Sequence, residues 1–334
     1  MNILVYGVAA TSGGALSVLK ECYRKFEQQK DNHYIFIVST PQLPDTKNIT
    51  VLRYPNIKKS WFHRLWFEYL EAPNLVRKYG IEEIFSLTNT TIPRTDVRQI
   101  LYLHQSLPFI SQRFKLSENL LFWVYQNVIG KLIIYSVRRA DKVIVQTKWI
   151  RDSAAKICNV SLDKFTIQVP SVDTSLIVPY RGQKTEVTFF FPAAPLSYKN
   201  HSLIIKACQV LKKKHICNYK VLFTLTGREN KYAVSLKRSV ENHALPIYFI
   251  GMLSHKQVFE MYGQSILVFP SYIETFGLPL LEAKLSNAPI LASNMPFCRE
   301  VLNGYESCKF YDKDDFVALS NYMEECITKH GNFE

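Results

Sequence analysis

The stretch Ser271-Tyr272-Ile273-Glu274-Thr275-Phe276-Gly277-Leu278-Pro279-Leu280-Leu281-Glu282-Ala283 follows a short apolar run, Ile266–Phe269, and opens a helical pattern. Pro279 suits the first turn of a helix, where its missing N–H is not needed. Gly277 lets a ligand come close to the backbone. The helix start then offers unpaired N–H groups and a positive dipole end, a combination that attracts phosphate. Glu274 falls in the loop and Glu282 about one turn into the helix, so two carboxylates flank the anion position, where they can accept hydrogen bonds from sugar hydroxyls. Two arbitrary glutamates would be solvated charges. Here strand, loop, glycine, proline and helix arrive together.

The same alternation extends outward in both directions. Apolar runs at 187–191, 221–225, 247–250, 266–269 and 290–292 read as strands, separated by helical patterns at 201–213, 231–242, 255–262 and 278–285. The first half repeats the scheme, with strands at 3–6, 34–38, 84–87, 100–103 and 143–145 and helices at 13–29, 61–79 and 119–139. Continuous apolar strands alternating with helices predict parallel sheets covered on both faces, an α/β class. The break falls near 169–183, where Pro170, Pro179 and Gly182 stand among polar residues. We expect a first domain at 1–175 and a second at 176–313. A last helix at about 314–330 can pack on either.

With 334 residues and a net charge of +13, the chain favours anionic partners. Residues 1–178 hold 23 basic and 14 acidic residues, +9, and the remainder +4. The seven cysteines (Cys22, Cys158, Cys208, Cys217, Cys298, Cys308 and Cys326) include no C-x-x-C pair, which predicts reduced thiols, no zinc site and a cytoplasmic setting. The N-terminus reads as a core strand rather than an export signal. The apolar stretch 120–137 is interrupted by Gln126, Asn127, Gly130 and Lys131, so a buried helix is expected rather than a membrane span.

With seven residues between Glu274 and Glu282, the run E-T-F-G-L-P-L-L-E-A resembles the E-x7-E motif of retaining glycosyltransferase family 4. The likeness extends through much of 187–312 and more loosely through the first domain. It implies a GT-B fold, two facing Rossmann-like domains with a deep interdomain cleft and the donor held mainly by the second. It implies that Glu274 contacts the donor sugar and Glu282 the ribose. Thr275, Phe276, Gly277 and Leu278 would hold the diphosphate.

Four further features follow the same reading. Lys199, between a strand at 187–191 and a helix at 201–213, can neutralise a leaving diphosphate. The family usually carries an arginine five residues earlier, where this chain has Ala194, and Arg228 is the candidate replacement. Gly13 and Gly14, after the first strand, allow backbone contact with donor phosphate, although the dinucleotide fingerprint G-x-G-x-x-G is absent. His104, at a strand end, would point at the donor sugar.

The resemblance further implies a nucleotide-sugar substrate, a UDP-sugar being the first expectation, and a saccharide acceptor. A lipid-linked acceptor in bacterial capsule, O-antigen or exopolysaccharide synthesis fits the basic charge. No cofactor and no metal are expected, since fixed positive groups can serve the diphosphate. No nucleic-acid motif is found. Two alternatives stand: a nucleotide-sugar 2-epimerase of the same fold, which the long motif disfavours, and a non-catalytic nucleotide-sugar-binding subunit, which Ala194 keeps open.

Phe62, Leu65, Trp66, Tyr69 and Leu70 form an apolar helical stripe expected to face the core. Trp61 and Phe67 would then lie outside with Lys58, Lys59 and Arg64, a surface suited to anionic lipid headgroups at the inner face of a cell membrane.

Overall fold

The computed structural model describes residues 1–11, 13–117, 119–182 and 186–329. Ser12 of the first glycine turn, the far end of the expected break, residue 330 of the last expected helix and the Trp61 side chain lie outside the described residues. The chain divides into two compact units, Met1–Pro170 and Ser171–Glu334.

The first unit runs β1 (Asn2–Tyr6), α1 (Gly13–Glu27), β2 (His33–Val38), β3 (Ile49–Arg53) and α2 (Trp61–Trp66). A π turn (Phe67–Glu71) leads into α3 (Ala72–Lys78), then β4 (Glu83–Ser86), β5 (Arg98–Tyr102), α4 (Leu120–Asn127), α5 (Ile129–Arg139), β6 (Lys142–Val145), α6 (Lys148–Cys158) and β7 (Phe165–Ile167). All strand pairings are parallel, in the order β3-β2-β1-β4-β5-β6-β7. The order reverses direction between β1 and β4. Ligands of open parallel sheets bind outside the carboxyl ends of strands at such a switch point.

The second unit runs β8 (Val187–Phe191), α7 (His201–Lys213), β9 (Tyr219–Phe223), α8 (Lys231–Asn242), β10 (Ile247–Phe249), α9 (His255–Tyr262) and β11 (Ile266–Phe269). It continues with α10 (Leu278–Leu285), β12 (Ile290–Ser293), α11 (Pro296–Val301), β13 (Cys308–Tyr311) and α12 (Phe316–Thr328). Its strands are again all parallel, ordered β10-β9-β8-β11-β12-β13, with the reversal between β8 and β11. Helix α12 packs on α7 and carries Glu324 to Lys214 at 2.6 Å, so the last helix belongs with the second unit. Strands β8, β11 and β12 are buried along their whole length, as expected for a sheet covered on both faces.

Two expectations for the first unit are corrected. The stripe Phe62, Leu65, Trp66, Tyr69 and Leu70 does not face the core: Phe62 is 73% and Trp66 51% exposed. Phe67, expected outside, is buried against Tyr6 and Tyr54. The inward stripe instead runs through Arg64, Glu68, Ala72, Leu75 and Val76, and its first two members are charged. They are tolerated because the Arg64 Nε donates to Glu68 at 2.9 Å, and Tyr6 and Thr90 donate to the same carboxylate at 3.0 and 3.3 Å. The π turn lengthens one turn of the helix and shifts the phase on which the periodicity reading depends.

The apolar stretch from Leu120 is partly buried. By length and composition alone Leu120–Arg139 could cross a membrane, and 39% of its most apolar window is buried. Gln126 is inside the protein, with its amide donating to the carbonyls of Leu107 and Gln112 and accepting from the Phe114 N–H. Leu120, Leu121, Val128 and Tyr135 are exposed. The helix breaks at Val128, and a side chain at Gly130 would meet the Tyr125 carbonyl at 3.3 Å.

Candidate functional site

In the second unit the two loops at the switch point converge. The loop after β8 carries Lys199 and the loop after β11 carries Glu274, and the two side chains form an ion pair across 75 residues of sequence. Each is 17% exposed. The Tyr272 N–H donates to the Tyr198 carbonyl at 3.1 Å, which ties the loops together. Gly277 is the residue before α10 and has φ +88°, a left-handed conformation that glycine adopts without strain. A Cβ there would lie 3.1 Å from Leu280 and 3.4 Å from Phe269, so space as well as backbone geometry demands glycine. Phe276 is buried, and Thr275 and Leu278 are half-buried beside it. The Gly277 start of α10 therefore lies at the same strand ends as the Lys199–Glu274 pair.

Glu282 is 7% exposed and held on both oxygens. The Tyr262 hydroxyl donates to Oε2 at 3.0 Å, and His255 Nε2 lies 2.9 Å from Oε1. Burial, and then the carboxylate itself, push the Tyr262 phenol well above its ordinary value, so it remains a donor. Sequence reasoning missed both partners, which lie on α9, more than a helix away in the chain.

Ala194 is exposed in the Lys199 loop, and Arg228 is exposed in the loop after β9. That second loop is organised by Glu229, whose carboxylate accepts from the backbone N–H groups of Thr226, Gly227 and Arg228 at 2.5, 3.0 and 3.0 Å. These hydrogen bonds hold the Glu229 carboxyl below its usual range against the opposing effect of burial. The Asn230 side chain donates to the Pro195 carbonyl at 2.8 Å, so the loop that bears Arg228 is fastened to the loop that bears Ala194.

In the first unit, Gly13 begins α1, and Gly14 has open space where a Cβ would stand. Its glycine is not demanded by packing, unlike Gly7, where a Cβ would come within 2.8 Å of Leu19. His104 follows β5 and stacks on Tyr102, with ring centroids 4.2 Å apart. Burial pulls its imidazole down to about 4, so it is neutral at pH 7, and its Nε2 is buried without a hydrogen-bond partner among the described residues. Its backbone N–H donates to the Asn89 side chain at 2.6 Å. Asn89 has φ +66° and sits in the loop after β4, whose Thr88 and Thr90 receive hydrogen bonds from Arg64 at 3.4 and 3.2 Å. Arg64 also lines a cavity of about 320 Å³ with Val8, Ala9, Lys58, Ser60 and Tyr125. Lys58 is exposed and Arg64 half-buried, and the β4 loop connects His104 to the pocket that both cations line.

Residues 177–332 match the sequence pattern of the family described as Glycosyl transferases group 1. The chain belongs to the group 1 glycosyltransferases. It is 30% identical over 241 residues to the O-antigen chain mannosyltransferase RfbU of Salmonella typhimurium, covering 71% of this chain and 63% of the relative. It is 23% identical to the serotype-specific mannosyltransferase WbdA of Escherichia coli, over 77% of this chain and 33% of that protein. The chain thus spans less than two thirds of the length of these curated relatives. Among solved structures, it is similar to a glycosyltransferase from Rickettsia africae, with TM-score 0.71, 16% identity, and 99% and 89% of the two chains covered. It is equally similar to Anabaena HepE in complex with UDP and glucose, with TM-score 0.72, 14% identity, and 99% and 91% covered. The fold is GT-B, with one Rossmann-like sheet in each unit.

Proposed function

We propose that this group 1 glycosyltransferase transfers a sugar, with retention of configuration, from a nucleoside-diphosphate sugar to a hydroxyl of a lipid-linked saccharide in the synthesis of a bacterial surface polysaccharide. The observation that carries this reading is the meeting of Lys199 and Glu274 beside the Gly277 start of α10. When the donor binds, its diphosphate replaces Glu274 as the anionic partner of Lys199, and Glu274 turns to the sugar hydroxyls. As the bond from the anomeric carbon to the leaving oxygen breaks, the electron pair stays with the diphosphate. Lys199 and the backbone N–H groups around Phe276–Leu278 stabilise that charge, in a half-buried site where such groups act strongly. The acceptor hydroxyl attacks from the same face, and its proton passes to the departing phosphate oxygen. His104, neutral at pH 7, serves as a hydrogen-bonding contact to the sugar rather than as a cation. Glu282 holds the ribose. Gly13 and Gly14 leave room for donor phosphate at the start of α1, and Arg228 takes the place of the arginine missing at Ala194.

The names of the O-antigen and serotype-specific relatives support polysaccharide synthesis and make mannose a sugar to test first. The UDP complex of HepE keeps UDP-sugars in the same screen. The protein works in the cytoplasm, at the inner face of the membrane where lipid-linked acceptors are presented. A screen of GDP- and UDP-sugars with lipid-linked saccharides, read as nucleoside diphosphate release, tests the reading. Lys199→Ala should lower turnover on the cognate pair by about 10²–10³-fold. Wild-type turnover in that variant, or no transfer from any donor while nucleoside diphosphate still binds, overturns the catalytic role. The second outcome favours a non-catalytic sugar-nucleotide-binding subunit, the reading that Ala194 supports.

A further inference from the structure

The backbone at His104 is held by a side chain rather than by the sheet. Strand β4 ends at Ser86 and β5 at Tyr102, and Ser86 stands opposite Leu101. Just beyond β5, the Leu103 N–H still donates to the Ile144 carbonyl of β6 at 2.9 Å. Strand alternation then turns the His104 N–H to the other side, past the last paired residue of β4. A backbone donor in that position must find another acceptor. It finds the Asn89 carboxamide oxygen, at 2.6 Å. Only the oxygen of a carboxamide can accept from an N–H, so the contact also fixes which way the amide faces. It is the one hydrogen bond that the Asn89 side chain makes among the described residues.

Asn89 is itself set firmly. Its neighbours Thr88 and Thr90 are buried, and the Ser86 hydroxyl donates to the Thr90 carbonyl at 2.6 Å across the turn. The Thr88 and Thr90 hydroxyls lie 3.2 Å apart, and the Thr90 hydroxyl donates to Glu68 at 3.3 Å. At φ +66° the Asn89 backbone is left-handed. Glycine takes that conformation without strain, whereas most side chains resist it. A turn that needed the conformation alone would be served by glycine. Asparagine, tolerated in the same region, adds one acceptor, and the fold uses that acceptor on His104.

The imidazole is thereby fixed from two directions. Its face stacks on Tyr102, with the ring planes 11° apart, and its backbone is pinned by Asn89. Its Nε2 is buried with no partner among the described residues. A buried polar atom left unpaired, on a ring whose other freedoms have been removed, suits a group that arrives from outside. We propose that Asn89 is the positioning residue of His104: its carboxamide sets where the imidazole Nε2 meets the donor sugar and takes no part in holding the nucleotide. The inference rests on the glycosyltransferase reading, in which His104 contacts that sugar.

The test is a double-mutant cycle on the full chain. Turnover is read as nucleoside diphosphate release, with the GDP- or UDP-sugar and the lipid-linked saccharide that the wild-type chain uses. Calorimetry gives the UDP and GDP affinities, and circular dichroism checks the fold. Asn89→Gly keeps the left-handed turn and deletes the acceptor. It should lower turnover by about tenfold to 100-fold, the effect of a small misplacement at the reacting centre, with donor KM, nucleoside diphosphate affinity and fold unchanged. Asn89→Asp keeps an acceptor oxygen and should restore most of the turnover. In a His104→Ala background, Asn89→Gly should cost almost nothing further, because two residues that act through one contact do not add. A merely structural loss would add there. Wild-type turnover in Asn89→Gly beside a depressed His104→Ala, loss of fold in Asn89→Gly, multiplying losses in the double variant, or no recovery in Asn89→Asp would each overturn the inference and leave the glycosyltransferase reading standing. Wild-type turnover in His104→Ala removes the sugar contact, and the inference falls with that contact. If the wild-type chain releases nucleoside diphosphate from none of the donors, the glycosyltransferase reading itself fails and takes the inference with it.

Discussion

Glu68 in the first unit and Glu282 in the second are buried to nearly the same degree, with side chains 7% and 9% exposed, and each accepts from a fully buried tyrosine hydroxyl at 3.0 Å. Their remaining partners differ. Glu68 faces Arg64, a permanent cation whose side chain is itself only 18% exposed, and Thr90 adds a third donor. Glu282 faces His255, which is 55% exposed, and has no fixed cation among the described residues. The first carboxylate is spent inside the protein, neutralising a charge that the fold has buried. The second is positioned by the fold but left with charge available to donors that arrive from outside. Equal burial therefore leaves the two carboxylates differently compensated, and the identity of the cation tells them apart.

The comparison breaks most visibly at Glu68. Glu68→Ala strands Arg64 without its counter-charge, which for a buried pair costs about 3–5 kcal/mol. Urea unfolding of the full chain should show the first unit destabilised by that amount, with its transition at lower denaturant. If the midpoint stayed in place, Glu68 would not be the internal counter-ion described above. Glu282→Ala should leave that transition nearly untouched. Its effect belongs in nucleoside diphosphate affinity, with a loss of about 1.5–3 kcal/mol, roughly tenfold to 150-fold, for a hydrogen bond that involves a charge. Unchanged affinity with an intact fold removes the ribose role.

The same contrast explains what could be read in the sequence. Glu274, Gly277 and Glu282 were legible because strand, loop and helix present them in consecutive turns of one local segment, where residue type and spacing carry the geometry. The α2 segment was not. Its correct face depends on the π turn at Phe67–Glu71 and on partners 22 and 62 residues away, Thr90 and Tyr6, so the stripe with the best periodicity was the exposed one. The strands β3, β7 and β13 escaped the reading for a related reason. Each lies at a sheet edge, half-covered and mixed in composition, and lacks the continuous apolar run that marks a central strand. Lys199 was legible as a cation near a strand end. Its pairing with Glu274 needed the strand order β8-β11, which the sequence pattern alone leaves open.

The smallest effects sharpen the comparison furthest, because they apply one chemical change at both carboxylates. Tyr6→Phe and Tyr262→Phe each delete a single hydroxyl from a fully buried ring and leave the packing volume in place. A neutral donor of this kind contributes about 0.5–1.5 kcal/mol net. At Tyr6 the carboxylate keeps Arg64 and Thr90, so the loss should appear only as a slight decrease in the first unit's stability, with nucleoside diphosphate affinity unaltered. At Tyr262 the carboxylate keeps only His255 among the described residues, and Glu282 gains freedom to turn away from the proposed ribose contact. Nucleoside diphosphate affinity should then fall by about twofold to tenfold, the same range expressed as an equilibrium constant. Tyr262 acts here as a positioning residue, so turnover at saturating donor should stay near wild type while the donor KM rises. A fall in turnover with an unchanged KM would place Tyr262 outside the ribose contact, and equal affinity losses in both variants would erase the distinction between the two carboxylates.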